Sequence, residues 1–334
     1  MAIWIVWLKK PVKIKELSNK FKNTISHRKG AKSAKIFLIN FVCLSLRPSR
    51  LCGEYLLNQR FLKVWALIGL LLGAVAYAQE LPHASPVPGG IAILPLAPDT
   101  EPAPVVHFAD QRVMVMPRDG RWQAVVGLPL TLAPGPQTVT ARDSQGKARE
   151  YPFTVQSKEY AVQRLTLKDK RMVEPTEEDL ARITREQAII QQAFAAWTEE
   201  ALPSLRFLLP VHGSVSSVFG LRRFFNNEPR QPHSGIDIAA PVGAPVIAPL
   251  AGTVTQTGEY FFNGKTVFLD HGQGLISMFN HLSRIAVERG ARVNQGQKIG
   301  EVGMSGRVTG SHLHWTVSLN NSRVDPVLFL PVTK

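Results

Sequence analysis

Cysteine is nearly absent. The 334-residue chain has two, Cys43 and Cys52, and residues 79–334 have none. That excludes a disulfide framework and a thiolate metal site from most of the chain. Any metal held there takes His, Asp or Glu as ligands. Long hydrophobic runs are also missing: the run "VWALIGLLLGAV" (64–75) falls short of the roughly 20 residues of a membrane-spanning helix. Acidic residues are scarce only at the start. Residues 1–78 hold 14 Lys/Arg and 2 Asp/Glu, leaving 25 and 23 in residues 79–334, so the formal charge of +14 sits almost wholly in the first segment. A surplus confined to a leader excludes nucleic-acid binding as a function of the folded part.

That first segment, residues 1–78, reads as a leader. Arg60 and Lys63 precede the apolar run, and Ala76-Tyr77-Ala78 follows it as a small-x-small cleavage pattern. The expected signal peptide spans about 57–78, with an upstream start in doubt, and membrane association ends with its removal. An exported protein of the periplasm or cell envelope is the implied product.

Residues 79–157 open on a proline-rich extended stretch (79–104). Short β-prone runs follow, separated by Asp-Gly, Pro-Gly and Gln-Gly turns, and the pattern predicts a small antiparallel β-sandwich. His107 and Trp122 are expected to be structural there. Residues 158–203 predict a helical linker, with a helix over 175–200. Thr176 and Asp179 have capping-box spacing, and Leu180, Ile183, Gln187, Ile190, Phe194 and Trp197 form an apolar stripe. From about 204 to 334, glycines and prolines punctuate short valine- and isoleucine-rich runs, an all-β pattern. The fold class is mainly β.

Six of the nine histidines fall in that last segment: His212, His233, His271, His281, His312 and His314. In "GSHLHWTVSL", His312 and His314 are two apart on a β-prone run, so they share a face. In "HSGID", His233 and Asp237 would lie about 13 Å apart on a regular strand, too far to share one ion. Gly235 between them allows a bend that brings them together. With one histidine of "HLH" they make a His, Asp, His set, and three protein ligands with an open position is the pattern of a catalytic zinc site. Zinc brings the ionisation of water near neutral pH, and the remaining histidines can move protons or stabilise a developing oxyanion. Spacing alone does not tell which histidine of "HLH" is the ligand. No serine or cysteine nucleophile signature competes.

Residues 204–334 resemble the M23 peptidases, the lysostaphin- and LytM-type zinc endopeptidases that cut peptidoglycan cross-bridges. The resemblance runs from "VSSVFGLRR" through "HSGIDIAAPVGAPV" and "FNHLS" to "VGMSGRVTGSHLHW". It implies one Zn2+ per chain on His233, Asp237 and His314, with His281 and His312 as the catalytic pair and peptidoglycan peptide stems as substrate. One departure is visible: Phe279 stands where the family usually has tyrosine. His271 and His212 are expected to be structural, and Arg222 to contact substrate. The upstream region resembles those that accompany such domains in exported Gram-negative proteins, where a regulatory partner can dock on the N-terminal domain or the helix. The alternative function is a non-catalytic M23-like module that activates a cell-wall amidase. A lipoyl-type carrier domain shares the turn pattern, but no hairpin lysine marks one.

Overall fold

Alternation decides which side of a strand is buried, and several strands here are buried on both sides. The computed structural model describes residues 80–331 except 168, 201 and 203. The leader and its cleavage motif lie outside these described residues. Among the described residues no helix is long and apolar enough to cross a membrane.

The N-terminal part is a six-stranded antiparallel sheet. In space its strands run Ile91–Pro98, Arg121–Gly127, Gln111–Arg118, Val105–Phe108, Gly135–Arg142 and Ala148–Val155. This single hydrogen-bonded path wraps a core that includes Leu96, Val106, Val113, Val126 and Val139. The proline-rich stretch is not merely extended, because it contributes the strand Ile91–Pro98. That strand is an edge of the sheet, and its register slips between Pro95 and Pro98. An edge position is where prolines, having no N–H to donate, are tolerated. Trp122 packs on this core and donates from Nε1 to the Glu101 carbonyl.

The linker is less helical than its composition suggests. Val162–Leu165 is a strand pairing in parallel with Arg222–Phe225, and a 3-10 turn covers Lys170–Met172. The α-helix is Glu177–Phe194, opened by the expected capping box: Thr176 and Asp179 each accept from the other's backbone N–H. Trp197 lies beyond the helix, in a loop where the Arg112 guanidinium stacks on its ring at 4.5 Å. Leu180 is 52% exposed, so the buried stripe is Ile183, Ala193 and Phe194. Phe194 meets Phe268 edge-on at 5.3 Å.

The C-terminal sheet carries, in spatial order, Arg292–Val293, Gly252–Tyr260, Gly264–Gly272, Leu275–Ile285, His312–Leu319, Ile236–Ala239 and Ser214–Ser217. Leu313, Trp315 and Val317 alternate into its core beside Ile236, Ile238 and Phe279, all fully buried. The same core takes Ile91, Met114, Met116 and Val125 from the N-terminal sheet. In Gln111–Arg118, therefore, Val113 and Val115 point into one core while Met114 and Met116 point into the other. The Asn320 side chain ties the two sheets: Gly127 N–H donates to its Oδ1 at 2.6 Å, and its Nδ2 donates to the Gly127 carbonyl at 3.0 Å.

His271 is buried between the Ala251 carbonyl and the Ser277 hydroxyl, with Nδ1 and Nε2 each at 2.9 Å. Burial pushes its imidazole down to about 4, against about 6.5 in an unfolded chain. Between those values the unfolded state binds the extra proton. This contribution to stability is therefore complete above pH 6.5 and is lost as pH falls towards 4, by up to about 3 kcal/mol. His271→Gln should flatten that slope in denaturant titrations across the window. Parallel pH profiles for the variant and the unchanged chain would assign the slope to other groups.

Candidate metal and hydrolytic site

Register brings the site together. Asp237, on Ile236–Ala239, lies opposite His314 on one neighbouring strand and Ser217 on the other. Because Ile236 and Ile238 face the core, Asp237 faces away from it, as do His312, His314 and Thr316. The ladder slips between Asp237 and Ile238 against Ser214–Ser217, an irregularity of the kind that re-aims side chains beside functional sites.

His233 precedes the strand. Its carbonyl accepts from Gly220 N–H and its N–H donates to the Leu221 carbonyl, which folds the chain back over Asp237. Gly235 serves this fold by close approach more than by bending: a Cβ there would lie 2.3 Å from the Trp315 carbonyl oxygen.

Three atoms converge: His233 Nε2 is 3.0 Å from Asp237 Oδ1 and 3.0 Å from His314 Nδ1, which is itself 2.7 Å from Asp237 Oδ1. His233 Nδ1 is 2.7 Å from the Val218 carbonyl, which can only accept, so the proton sits on Nδ1 and Nε2 presents a lone pair. His314 Nε2 meets Thr316 Oγ1 at 2.9 Å, leaving Nδ1 to face the cluster. Lone pairs and a carboxylate oxygen crowded this closely repel unless a cation sits among them. His, Asp and His also form a donor set suited to zinc, each with an outer hydrogen-bond partner. The residues fit a metal ion.

The electrostatics agree. Burial alone would raise the Asp237 carboxyl, but the close approach of the His233 and His314 imidazoles outweighs it and holds the group well below the usual carboxylate range. Its other oxygen, Oδ2, accepts from Arg223 Nη2 at 2.9 Å. Arg223 also donates to Ser217 Oγ at 3.1 Å and to Gln163 Oε1 at 3.0 Å, so the linker strand holds it in place.

His281 and His312 stand beside this set with ring centroids 4.9 Å apart. His281 has φ +64, a left-handed conformation, where the strand Leu275–Ile285 leaves its ladder with His312–Leu319 after the pair Asn280–His314. That turn swings the imidazole towards the cleft and is held by its N–H donating to the Asn263 carbonyl. His281 Nδ1–H donates to the Ser305 carbonyl and His312 Nδ1–H to the Gly310 carbonyl, both at 2.9 Å. Each leaves Nε2 as a lone-pair nitrogen. Burial, then the neighbouring His314 and His312, lowers His281 to about 3. His312 Nε2 lies 3.8 Å from Asp237 Oδ1.

The other residues singled out from sequence lie elsewhere. His212 is exposed ahead of Ser214–Ser217, His271 is locked in the sheet, and His107 belongs to the N-terminal sheet. Arg222 is exposed, and it is Arg223 that reaches the site. Phe279 is wholly buried on the core face beside Trp315, so its lack of a hydroxyl leaves the site face untouched. The outer partners Ser217, Arg223, Ser305 and Thr316 were missed. Of these, Thr316 was legible: it continues the alternation that joins His312 to His314.

Residues 231–326 match peptidase family M23, and residues 84–158 match the peptidase family M23 N-terminal domain. A solved chain described as a peptidase M23 from Pseudomonas aeruginosa is 44% identical, with TM-score 0.62 over 73% of this chain and 95% of that one. Among curated proteins, the peptidoglycan DD-endopeptidase ShyA of Vibrio cholerae is 38% identical over 112 residues, 33% of this chain and 26% of the relative. The DD-carboxypeptidase/endopeptidase Mpg of Neisseria meningitidis is 38% identical over 117 residues, 35% of this chain and 27% of the relative. The chain thus spans about a quarter of the length of these curated relatives. The M23 match covers the converging His, Asp and His, and the Pseudomonas chain extends the likeness across the N-terminal sheet, so this protein belongs to peptidase family M23.

Proposed function

We propose that this chain is a zinc-dependent endopeptidase that hydrolyses peptide cross-links of peptidoglycan. The observation that carries the reading is the convergence of His233 Nε2, Asp237 Oδ1 and His314 Nδ1 beside the His281–His312 pair. His233, Asp237 and His314 hold the ion. Bound there, zinc supplies Lewis acidity and brings water ionisation into the neutral range.

The chain's own residues do the rest. With Nδ1–H tied to a backbone carbonyl, His281 and His312 each offer Nε2 to take a proton from the attacking water. Once protonated, the same nitrogen can give that proton to the leaving amine or steady the oxyanion. Thr316 and the Val218 carbonyl fix how the two histidine ligands face the ion, and Arg223 orients the carboxylate through its far oxygen. The names of the Vibrio and Neisseria relatives support a peptidoglycan substrate. Such a substrate requires an envelope or periplasmic location.

Purified protein incubated with peptidoglycan should release monomeric stem peptides from cross-linked ones, read by mass analysis, and a chelator should stop the release. Intact cross-links together with stimulation of an amidase would favour the non-catalytic activator instead.

A further inference from the structure

The cleft in front of the His281 ring encloses about 450 Å³ and is lined by three arginines, Arg223, Arg230 and Arg307, with no aspartate or glutamate among the described residues on its walls. Arg223 is committed to Asp237. Among the described residues, neither of the other two is paired with an acid. Arg230 donates to the Pro229 and Val173 carbonyls, each at 3.0 Å. Arg307 donates to the Met172 carbonyl at 3.4 Å. Five N–H donors sit on each guanidinium, so most of theirs remain for a ligand.

Arg307 is also held in one plane. Its guanidinium lies 4.1 Å from the Phe262 ring centroid and 4.8 Å from that of Phe225. Stacking on aromatic faces fixes the planar fork and leaves its edges free for bidentate pairing. Burial, together with the positive charge of Arg223 and Arg230, lowers Arg307 to about 10. Three like charges gathered on one partly buried wall are unfavourable by themselves, and an anion between them relieves the repulsion.

We propose that Arg307 and Arg230 form a carboxylate subsite of this cleft, so that the protein selects peptides carrying a free carboxylate close to the scissile amide. The inference rests on the hydrolase reading above and adds the feature of the substrate that is recognised. Amino acids with two acid groups leave a free carboxylate when incorporated through one of them, and a stem peptide also ends in one. Either would fit the fork, since a bidentate guanidinium–carboxylate pair needs only two coplanar oxygens.

The test uses the zinc-loaded full chain and branched peptides that differ only in carboxylates amidated one at a time. Binding is measured by calorimetry and cleavage by mass analysis. One amidation, side-chain or terminal, should weaken binding and kcat/KM by about 10- to 100-fold, the worth of a hydrogen-bonded charge pair. Which amidation does so identifies the source of the carboxylate. In Arg307→Gln the ratio between free and amidated peptides should fall to near one, and Arg230→Gln should lower it partway. Arg307→Lys, with charge but no planar fork, should recover only part of it. Melting temperatures of the variants check the fold.

Equal losses on both peptides in Arg307→Gln would make the arginine a brace for the Met172–Val173 segment and overturn the subsite. So would indifference of the unchanged protein to every amidation. If preference in binding persists with no peptide cut, the subsite stands and the hydrolase reading fails. If every peptide is cut without preference, the reverse holds.

Discussion

Asp237→Ala is expected to lose both metal and hydrolysis, with zinc affinity falling by more than about 10²-fold. Outer-shell partners of a metal alone cost 10- to 100-fold when removed, and Asp237 supplies one of the three converging atoms themselves. The variant should also be less stable for a separate reason. Arg223, with a side chain only 17% exposed, would lose its carboxylate partner, and leaving a mostly buried donor unpaired costs about 1–3 kcal/mol. The two effects separate in chelator. There the metal contribution is gone from both proteins, so any remaining gap in melting temperature belongs to the side-chain contacts of Asp237 with Arg223, His233 and His314. Full zinc content in Asp237→Ala by metal analysis would contradict the ligand assignment.

Replacing the paired histidines should give the opposite signature. His312→Ala and His281→Asn are expected to keep zinc near the unsubstituted level while losing about 10²- to 10⁴-fold in turnover, the usual worth of a positioned acid–base group. Asparagine is the better replacement at 281 because the backbone there has φ +64, a conformation Asn tolerates and Ala resists. A ligand acts before substrate arrives, whereas the role proposed for His281 and His312 is on the reacting bond, so zinc content and rate measured together tell the two roles apart. His314→Ala should lose both. Should His312→Ala shed its zinc while His314→Ala retains it, the roles within "HLH" are exchanged.

The histidines and Asp237 were legible because strand alternation and a short motif mark them directly. Alternation places His312 and His314 on one face and Leu313 and Trp315 on the other. What it cannot supply is the register between strands distant in sequence, and register sets Asp237 beside His314 and Ser217. The same gap explains Arg223. Arg222 and Arg223 are chemically alike, and only the pairing of Arg222–Phe225 with Val162–Leu165 decides which one turns towards Asp237. That linker strand was itself hidden, being four residues long with polar Gln163 and Arg164 at its centre. The helix ended early because Trp197, though in phase with the stripe, packs near Gly274 and under Arg112 from a loop. Ile91–Pro98 was obscured by prolines that an edge strand tolerates.

The strand Gln111–Arg118, with one face in each core, makes the two family segments a single mechanical body. Sliding one sheet over the other would draw Met114 and Met116 out of one interior and strand Val113 and Val115 in the other, forfeiting contacts on both sides at once. Asn320, gripping Gly127, is the residue immediately after the strand that presents His314. A load applied to the N-terminal sheet therefore reaches the strand that carries His314 as stress along its length, as through a welded joint, and is not absorbed by a swinging door.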